Sequence, residues 1–307
     1  MTVRDKALLI IGLTLLGLVL ILYFVLSNIS TRGFSELETK VARQNVGRSI
    51  SAIYNDIADI DKLTSDWAWW DDTYAFIEDD NDKYREANLV DTTFSGLELS
   101  LALYIHSSGQ IVFATGFDLE NDKKTSLPEG LKAHLATDSL LVHHQDTGSK
   151  VAGLVVLPEG PMLVASRPIL TSKGEGPIRG TLIFGRYLDC AKIGSLARST
   201  YVDITLHRYD DLQLPSEVQK ARSSLSQGGP VVVSPLSDIH VAGYTVLKDI
   251  YRKPALLVQV EMDRDIYAQG QVTQGPVWVR NTTIYVVFTP PRIAFMTGYL
   301  DYRFWRP

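Results

Sequence analysis

The chain has 307 residues, of which 45% are apolar and 21% are charged, and its formal net charge is −5. This composition is that of a folded protein with room for one large or two modest domains, and the negative charge argues against a nucleic-acid-binding protein, whose binding surface is basic. The single cysteine, Cys190, excludes an intrachain disulfide and any metal site built from several cysteines.

The first predicted element is a membrane-spanning helix. Residues 7–26, ALLIIGLTLLGLVLILYFVL, contain no charged side chain. As a helix with a rise of about 1.5 Å per residue, they would span roughly 30 Å, the thickness of the hydrocarbon core of a bilayer. A cleaved signal peptide has an apolar region of about 7–15 residues that ends at small residues, and the segment LSNISTRGF offers no such cleavage site. We therefore predict a short tail over 1–6 and an uncleaved transmembrane helix over 7–27, whose flanking charges leave its orientation open.

A long membrane-proximal helix is predicted to follow, over residues 28–76. Apolar residues recur there at steps of three and four, first at Phe34, Leu37 and Val41 and then at Ile50, Ile53, Ile57 and Ile60. This spacing is typical of an amphipathic helix, and the tighter second part resembles the seam of a coiled coil. We predict a homodimer that forms through this helix, with the seam from Ile50 to Ile60 as its interface.

An unusual aromatic and acidic segment, DWAWWDDTY, lies near the end of this predicted helix, at residues 66–74. Continuing the helical register places Trp67, Trp70 and Tyr74 on the buried face. Aromatic residues at helical spacing are usually part of a core. The alternative is that the end of the helix covers a ligand pocket, with Asp71 or Asp72 facing inward. The sequence leaves both interpretations open.

Beyond this segment the pattern changes from helical periodicity to short strands and turns. The predicted elements are hairpins over 99–117 and 151–170, a strand over 178–189, and helices after Pro128 and over 189–200. Four shorter strands follow between residues 202 and 262. Antiparallel hairpins with covering helices indicate an α+β fold rather than a parallel doubly wound sheet. We divide this region into a main lobe over 77–200 and a smaller, membrane-proximal β lobe over 201–271.

The sequence carries no enzyme signature, such as a nucleophile elbow, a phosphate-binding loop or a zinc-binding HExxH motif. His143 and His144 lack the spacing of metal ligands and are expected in a solvated loop. Cys190 has no neighbouring histidine to activate it and is expected to be a packed small residue at a helix start. Arg167 and Arg186 each lie within an apolar strand, where an arginine either reaches the surface or faces an anion in a pocket. We therefore predict no catalytic residue, no metal and no cofactor.

Taken together, these segments resemble the fourth class of CHASE domain. The resemblance rests on DWAWWDDTY after an N-terminal anchor, and it continues through NLVDTTFSGLELSLALYI, GQIVFATGFDLE, VASRPILTSKGEGPIRGTLIFGRYLD and LLVQVEMDRDIYAQGQ. It covers nearly all of residues 34–271. CHASE domains are extracytoplasmic sensors of bacterial and archaeal signalling proteins, with a fold related to PAS and Cache sensors. The resemblance implies a single-pass protein of the inner membrane with a cytoplasmic tail over 1–6, whose main domain lies outside the cytoplasm.

The family's architecture also implies a second transmembrane helix soon after residue 271, followed by a cytoplasmic diguanylate cyclase, cyclic-di-GMP phosphodiesterase or histidine kinase. Residues 272–307 do not fit this expectation, because their longest apolar run, IYVVF, is far shorter than the ~20 residues that a span requires. Two interpretations stay open. Either the tail is out of frame and the chain is a truncated receptor, or the chain is a stand-alone, membrane-anchored binding protein with no signalling output.

For a sensor of this kind we predict an unidentified small-molecule ligand between the sheet and the end of the long helix. The residues expected near it are Trp67, Trp70, Asp71, Tyr74, Tyr104 and Arg167. A ligand that binds one arrangement of the helices better than another would shift the equilibrium between the two. On this prediction the chain acts as a sensor and not as an enzyme.

Overall fold

The computed structural model of the chain describes residues 2–265. The predicted tail over 272–307 and the last part of the predicted smaller lobe, 266–271, lie outside the described residues. The chain divides into two compact units, one that contains the N-terminal segment up to Leu37 and one that spans Glu38–Arg264. Helix α1, Val3–Ala68, contributes to both units, and the larger unit contains the remaining helices and strands of the described part.

Helix α1 ends at Ala68, so the predicted continuation to residue 76 is wrong. Trp70 has an extended backbone, with φ −90° and ψ 138°, and a second helix begins at Asp71. The cause is a long-range bond: the Leu170 amide donates a hydrogen bond of 3.1 Å to the Ala68 carbonyl, which in a longer helix would accept the amide of Asp72. Sequence periodicity carries no signal of such a long-range bond.

The helices that follow α1 are short. They are α2 (Asp71–Asp79), α3 (Asp82–Asn88), α4 (Asp91–Gly96), a 3-10 helix (Glu129–His134), α5 (Cys190–Thr200) and α6 (Ser216–Ser226). The 3-10 helix and α5 confirm the predicted helices after Pro128 and over 189–200. At the start of α5, the Asp189 carboxylate accepts the Lys192 amide at 2.8 Å, which satisfies one of the free amides of the first turn.

The strands form two antiparallel sheets, which confirms the α+β prediction. The first sheet has the order β3-β2-β1-β6-β5-β4 and the second has the order β7-β10-β9-β8. The strands are β1 (Leu101–His106), β2 (Ile111–Asp118), β3 (Lys123–Thr125), β4 (Val151–Leu157), β5 (Gly160–Ile169), β6 (Gly180–Tyr187), β7 (Asp203–Arg208), β8 (Val232–Pro235), β9 (His240–Lys248) and β10 (Pro254–Asp263). Both predicted hairpins, β1–β2 and β4–β5, are present, as are the four strands of the second set.

The six-stranded sheet is covered on both faces. Successive side chains of a strand point to opposite sides, so neighbouring residues of β1 belong to different clusters. Tyr104 of β1 packs in one cluster with Trp67 of α1 and Phe76 of α2. Its neighbour Leu103 packs in another cluster with Leu131 of the 3-10 helix. We call these sides the helix-covered face and the loop-covered face of the six-stranded sheet.

The four-stranded sheet lies between α1 and α6. Ile53 of α1 packs in a cluster with Val258 of β10, and Val218 of α6 packs with Tyr244 of β9. Ile53 and Ile60 are each only 1% exposed. The seam that was predicted as a dimer interface is therefore used inside the domain, and that choice of interface is wrong. Homodimerisation itself stays a prediction.

Candidate functional site

Arg167, one of the predicted ligand-binding residues, is paired with a carboxylate of the protein itself. Its Nε and Nη2 atoms donate to the two carboxylate oxygens of Asp61 in α1, each over 2.7 Å. The side chains of Arg167 and Asp61 are 13% and 14% exposed. Planar, two-point binding of this kind is the strong form of an ion pair. The anion that Arg167 faces in the described structure is thus the Asp61 carboxylate, near the end of α1.

Two further ion pairs join α1 to the domain. The Asp56 carboxylate lies 3.0 Å from Lys192 Nζ in α5. Glu38 binds Arg264, whose Nε and Nη2 atoms donate to the carboxylate over 2.9 and 3.1 Å. The three pairs are spaced along α1, so together they fix its rotation and its position along the domain. Sequence reasoning missed these acidic partners because it followed only the apolar periodicity of α1.

The aromatic and acidic motif holds the loop between β5 and β6 (residues 170–179, the β5–β6 loop). The Asp71 carboxylate accepts hydrogen bonds from the Ser172 amide at 2.9 Å and from the Ser172 hydroxyl at 2.8 Å. These two bonds hold the pKa of Asp71 below its ordinary value, and the bond from the amide has the larger effect. Asp71 therefore acts as an acceptor that fixes the loop to the start of α2.

Aromatic side chains of the motif complete this attachment. The Tyr74 hydroxyl donates to the Pro177 carbonyl at 3.2 Å, and the Arg179 guanidinium lies 3.8 Å from the centre of the Tyr74 ring. Trp69 lies against Gly174, whose φ of +70° favours glycine and where an added Cβ would be 3.4 Å from the Trp69 ring. The motif thus connects the end of α1 to the helix-covered side of the sheet.

The two remaining tryptophans of the motif occupy different environments. Trp67 is 9% exposed and packs edge-on against Phe184 of β6, with ring centres 5.8 Å apart. Trp70 stacks on Trp67 at 4.7 Å but is 38% exposed. The core interpretation is confirmed for Trp67. The predicted burial of Trp70 is wrong, because its extended backbone removes it from the helical register.

Tyr104 lies in the core beneath α2. It is fully buried, and its hydroxyl is 3.3 Å from that of Tyr84, which is 2.7 Å from the Thr73 hydroxyl. Burial raises the pKa of both tyrosines. The hydroxyls are therefore neutral partners of one another, and Tyr104 faces packed side chains rather than open space.

The structure thus brings the six predicted residues to one side of the six-stranded sheet. Asp71 and Tyr74 bind the β5–β6 loop, Trp70 stacks on Trp67, which packs against β6, and Tyr104 and Arg167 lie in the sheet below. Packed side chains and internal bonds occupy much of the space that was predicted to hold a ligand. A ligand-binding role for these residues stays a prediction.

Three other side chains differ from their sequence predictions. His144 is buried rather than solvated: its ring nitrogens lie 3.0 Å from the Ser149 and Ser166 hydroxyls, and burial lowers its pKa to about 4. Cys190 is exposed, not packed. Arg186, with a side chain only 12% exposed, is held by the α4–β1 connection: its guanidinium donates to the carbonyls of residues 97 and 98 and lies 3.7 Å from the Glu98 carboxylate.

A cleft that the sequence did not indicate opens at one edge of the loop-covered face. Its volume is about 280 Å³, and Ser100, Phe117, Thr125, Glu129, Glu159 and Tyr187 contribute to its lining. These residues come from four separate parts of the chain. Their convergence depends on the pairing of β1 with β2 and β6, which local sequence patterns do not specify.

Two properties of residues 2–265 bear on the predicted anchor and on metal binding. One helical stretch, Val3–Leu22, has the length and composition to cross a membrane, a property that an N-terminal signal sequence would share. No group of three or more His, Cys, Asp or Glu side chains in this range is arranged to hold a metal ion.

Solved structures with a similar fold include sensory domains. The domain of a sensory box/GGDEF family protein from Vibrio parahaemolyticus has a TM-score of 0.50 and 12% identity, over 78% of this chain and 99% of that one. The periplasmic domain of LuxQ from Vibrio cholerae has a TM-score of 0.45 and 13% identity, over 72% and 99% of the two chains. At these identities, the first similarity shows a shared fold alone.

Sequence relatives identify the family of this chain. The methanogenesis regulatory histidine kinase FilI of Methanothrix harundinacea is 30% identical over 273 residues, which are 89% of this chain and 30% of that protein. The chain thus spans less than a third of the length of this relative. The family model of the CHASE4 domain matches residues 52–207. This range contains the end of α1, the aromatic and acidic motif and the whole six-stranded sheet. The chain belongs to the CHASE4 domain family.

Proposed function

We propose that this chain is the membrane-anchored sensory part of a histidine kinase-type receptor, with its Glu38–Arg264 unit outside the cytoplasm. The observation that carries the proposal is the CHASE4 match over residues 52–207, behind a helical stretch that could cross a membrane at Val3–Leu22. The similarity to a histidine kinase over 89% of the chain supports this class of output. The sensory domain would bind a small ligand and change how α1 is held.

The six predicted residues enter this proposal as the connection between the sheet and α1. A shift of β5 would act on α1 through the Asp61–Arg167 pair, and a shift of the β5–β6 loop would act on α2 through Asp71. Trp70 and Asp71 are the members of the set with exposed side chains. They are therefore the ones that a ligand on the helix-covered side would touch.

The lone cysteine provides a direct test of the location of the domain. Cys190 is exposed and lies within the larger unit. A membrane-impermeant maleimide should label Cys190 in intact cells that express the full chain, and the labelled protein should stay in the membrane fraction after carbonate extraction. The Cys190→Ser variant is the matched control and should remain unlabelled in both intact and disrupted cells. Labelling that requires disrupted cells would place the domain in the cytoplasm and overturn the proposal.

A further inference from the structure

We infer that the cleft on the loop-covered face, lined by Ser100, Phe117, Glu129, Glu159 and Tyr187, binds a small organic cation that carries an ammonium group and a hydroxyl or carbonyl oxygen. This inference rests on the proposed function, since it names the class of ligand that the sensory domain would take. It also places the ligand on the opposite side of the sheet from the aromatic and acidic motif.

The negative charge of the cleft favours a positively charged ligand. Among its described lining residues, Glu129 and Glu159 are the side chains that carry charge at neutral pH. Glu159 accepts one hydrogen bond, from the Gly130 amide at 3.3 Å, and no cationic side chain of the described range lies within 4 Å of its carboxylate. Glu129 pairs with Lys132, but both partners are well exposed, so the pair contributes little and can open. The lining thus offers negative charge that the protein itself leaves largely unpaired.

An aromatic ring suits the ligand's apolar part and its charge. Tyr187, which packs against the cluster of the loop-covered face, contributes this ring to the lining, whereas the ring of Phe117 belongs to the cluster of the helix-covered face. A cation above an aromatic face is attracted to it electrostatically. Burial, and then the nearby charge of Glu159, raises the pKa of Tyr187. The Tyr187 hydroxyl therefore stays neutral and adds no charge of its own.

A buried hydroxyl supplies a further contact. Ser100 is 4% exposed, and its Oγ atom accepts the Tyr187 amide over a long 3.4 Å. Within the described range, the Ser100 hydroxyl donates to no acceptor. A buried donor without an acceptor carries a free-energy cost, which an oxygen atom of a bound ligand would remove. This is why we assign an acceptor oxygen to the ligand beside its ammonium group.

Close backbone packing fixes the walls of the cleft. A Cβ atom added to Gly116 would lie 2.5 Å from the Ser126 carbonyl oxygen, and one added to Gly130 would lie 2.3 Å from Pro158 Cδ. Neither position can accept a side chain without movement of its neighbours. The segment that carries Glu129 is thus held near the β4–β5 turn that carries Glu159. At about 280 Å³ the cleft lies just below the usual range for ligand pockets, so it suits a ligand of small-metabolite size.

The test measures thermal unfolding and calorimetric binding of the full chain in detergent. The probes are choline, ethanolamine and tetramethylammonium, with 3,3-dimethylbutan-1-ol as the uncharged counterpart of choline. At least one ammonium probe should bind saturably and raise the midpoint of unfolding, and the uncharged alcohol should not. Because Glu159 supplies unpaired charge, Glu159→Gln should weaken binding at least about tenfold. Glu86→Gln, at an exposed glutamate of α3, should leave binding unchanged.

Each contrary outcome has a distinct meaning. If none of the ammonium probes binds, if the uncharged alcohol binds equally well, or if Glu159→Gln retains full affinity, the inference is overturned. If the ammonium probes fail but anionic or neutral metabolites bind the same preparation, the proposed sensory function survives and only the assignment of this cleft is lost. If Cys190 labelling also places the domain in the cytoplasm, the proposed function itself fails.

Discussion

The Arg167 guanidinium of β5 binds the Asp61 carboxylate of α1 through two hydrogen bonds of 2.7 Å, and both side chains are largely withdrawn from solvent. The residues are 106 positions apart in the chain. The pair therefore joins the long helix to the middle of the family domain at one defined point. Any rearrangement that moves α1 along the sheet must first break it.

Replacing Arg167 by alanine should lower the free energy of unfolding by roughly 3 kcal/mol, because it leaves the Asp61 carboxylate buried without a cation. Urea unfolding of the full chain measures this loss. The double change Asp61→Leu with Arg167→Leu should recover most of it, since two apolar side chains need no partner. Asp59→Ala, at an exposed aspartate of the same helix, is the control and should have little effect. An Arg167→Ala variant as stable as the control would show that the pair does not stabilise this domain.

Replacing Asp71 by alanine should release the β5–β6 loop without unfolding the domain. The change removes the two acceptors of Ser172, and Lys173 next to it is exposed. Trypsin should therefore cleave after Lys173 faster in Asp71→Ala than in the wild type, as followed by mass spectrometry of timed samples. Asp72→Ala is the matched control, because Asp72 makes no hydrogen bond to the loop within the described residues. Equal cleavage rates in both variants would remove Asp71 from its role in holding the loop.

Local signals in the sequence were enough for most strands. In β1 and β2 the apolar runs flank Gly109, whose φ of +86° suits the turn that the sequence SSGQ indicates. Helix α6 was missed although Val218, Ala221 and Leu225 have helical spacing, because its remaining residues are polar and the segment lies between two clear strands. Elements that depend on residues nearby in the sequence were thus predictable, and the apolar spacing in α6 was enough to predict that helix too.

The candidate site was much less predictable, because long-range bonds decide it. The Leu170 amide donates to the last carbonyl of α1, and the Ser172 amide donates to the Asp71 carboxylate. The Arg167 guanidinium donates to the Asp61 carboxylate. Each of these partners lies about a hundred residues away in the sequence, so no local pattern could identify it. The sequence therefore indicated which residues are unusual but not what each of them contacts.

The buried His144 should make the domain less stable in acid. Burial lowers the pKa of His144 to about 4, from an ordinary value of 6.5. Between these values the unfolded chain binds a proton that the folded chain does not, so stability should fall as the pH decreases from about 6.5 to about 4, by an amount of order 3 kcal/mol. Charges of Arg167 and His143 add to the effect and Asp146 opposes it. Urea unfolding at several pH values gives the slope of the free energy of unfolding against pH. This slope should be weaker in His144→Gln and unchanged in His143→Gln. If both variants keep the same slope, it arises from other groups.

If the chain forms a homodimer through α1, the contact must use the face that the domain leaves open. Gly47, Ser51 and Tyr54 are exposed at steps of four and three, so they lie on one side of the helix, whereas Ile53 is 1% exposed. In a Cys190→Ser background, Ser51→Cys should form an oxidative cross-link between two copies in membranes, visible as a dimer on a non-reducing gel.

Ile53→Cys in the same background is the matched control and should not cross-link, because the packing against β10 covers it. Cross-linking through Ile53→Cys would mean that α1 leaves the domain in the membrane, in conflict with the three ion pairs that hold it. Absence of a cross-link in the Ser51→Cys variant, with its introduced thiol still reactive towards maleimide, would show that this face of α1 does not meet a second copy.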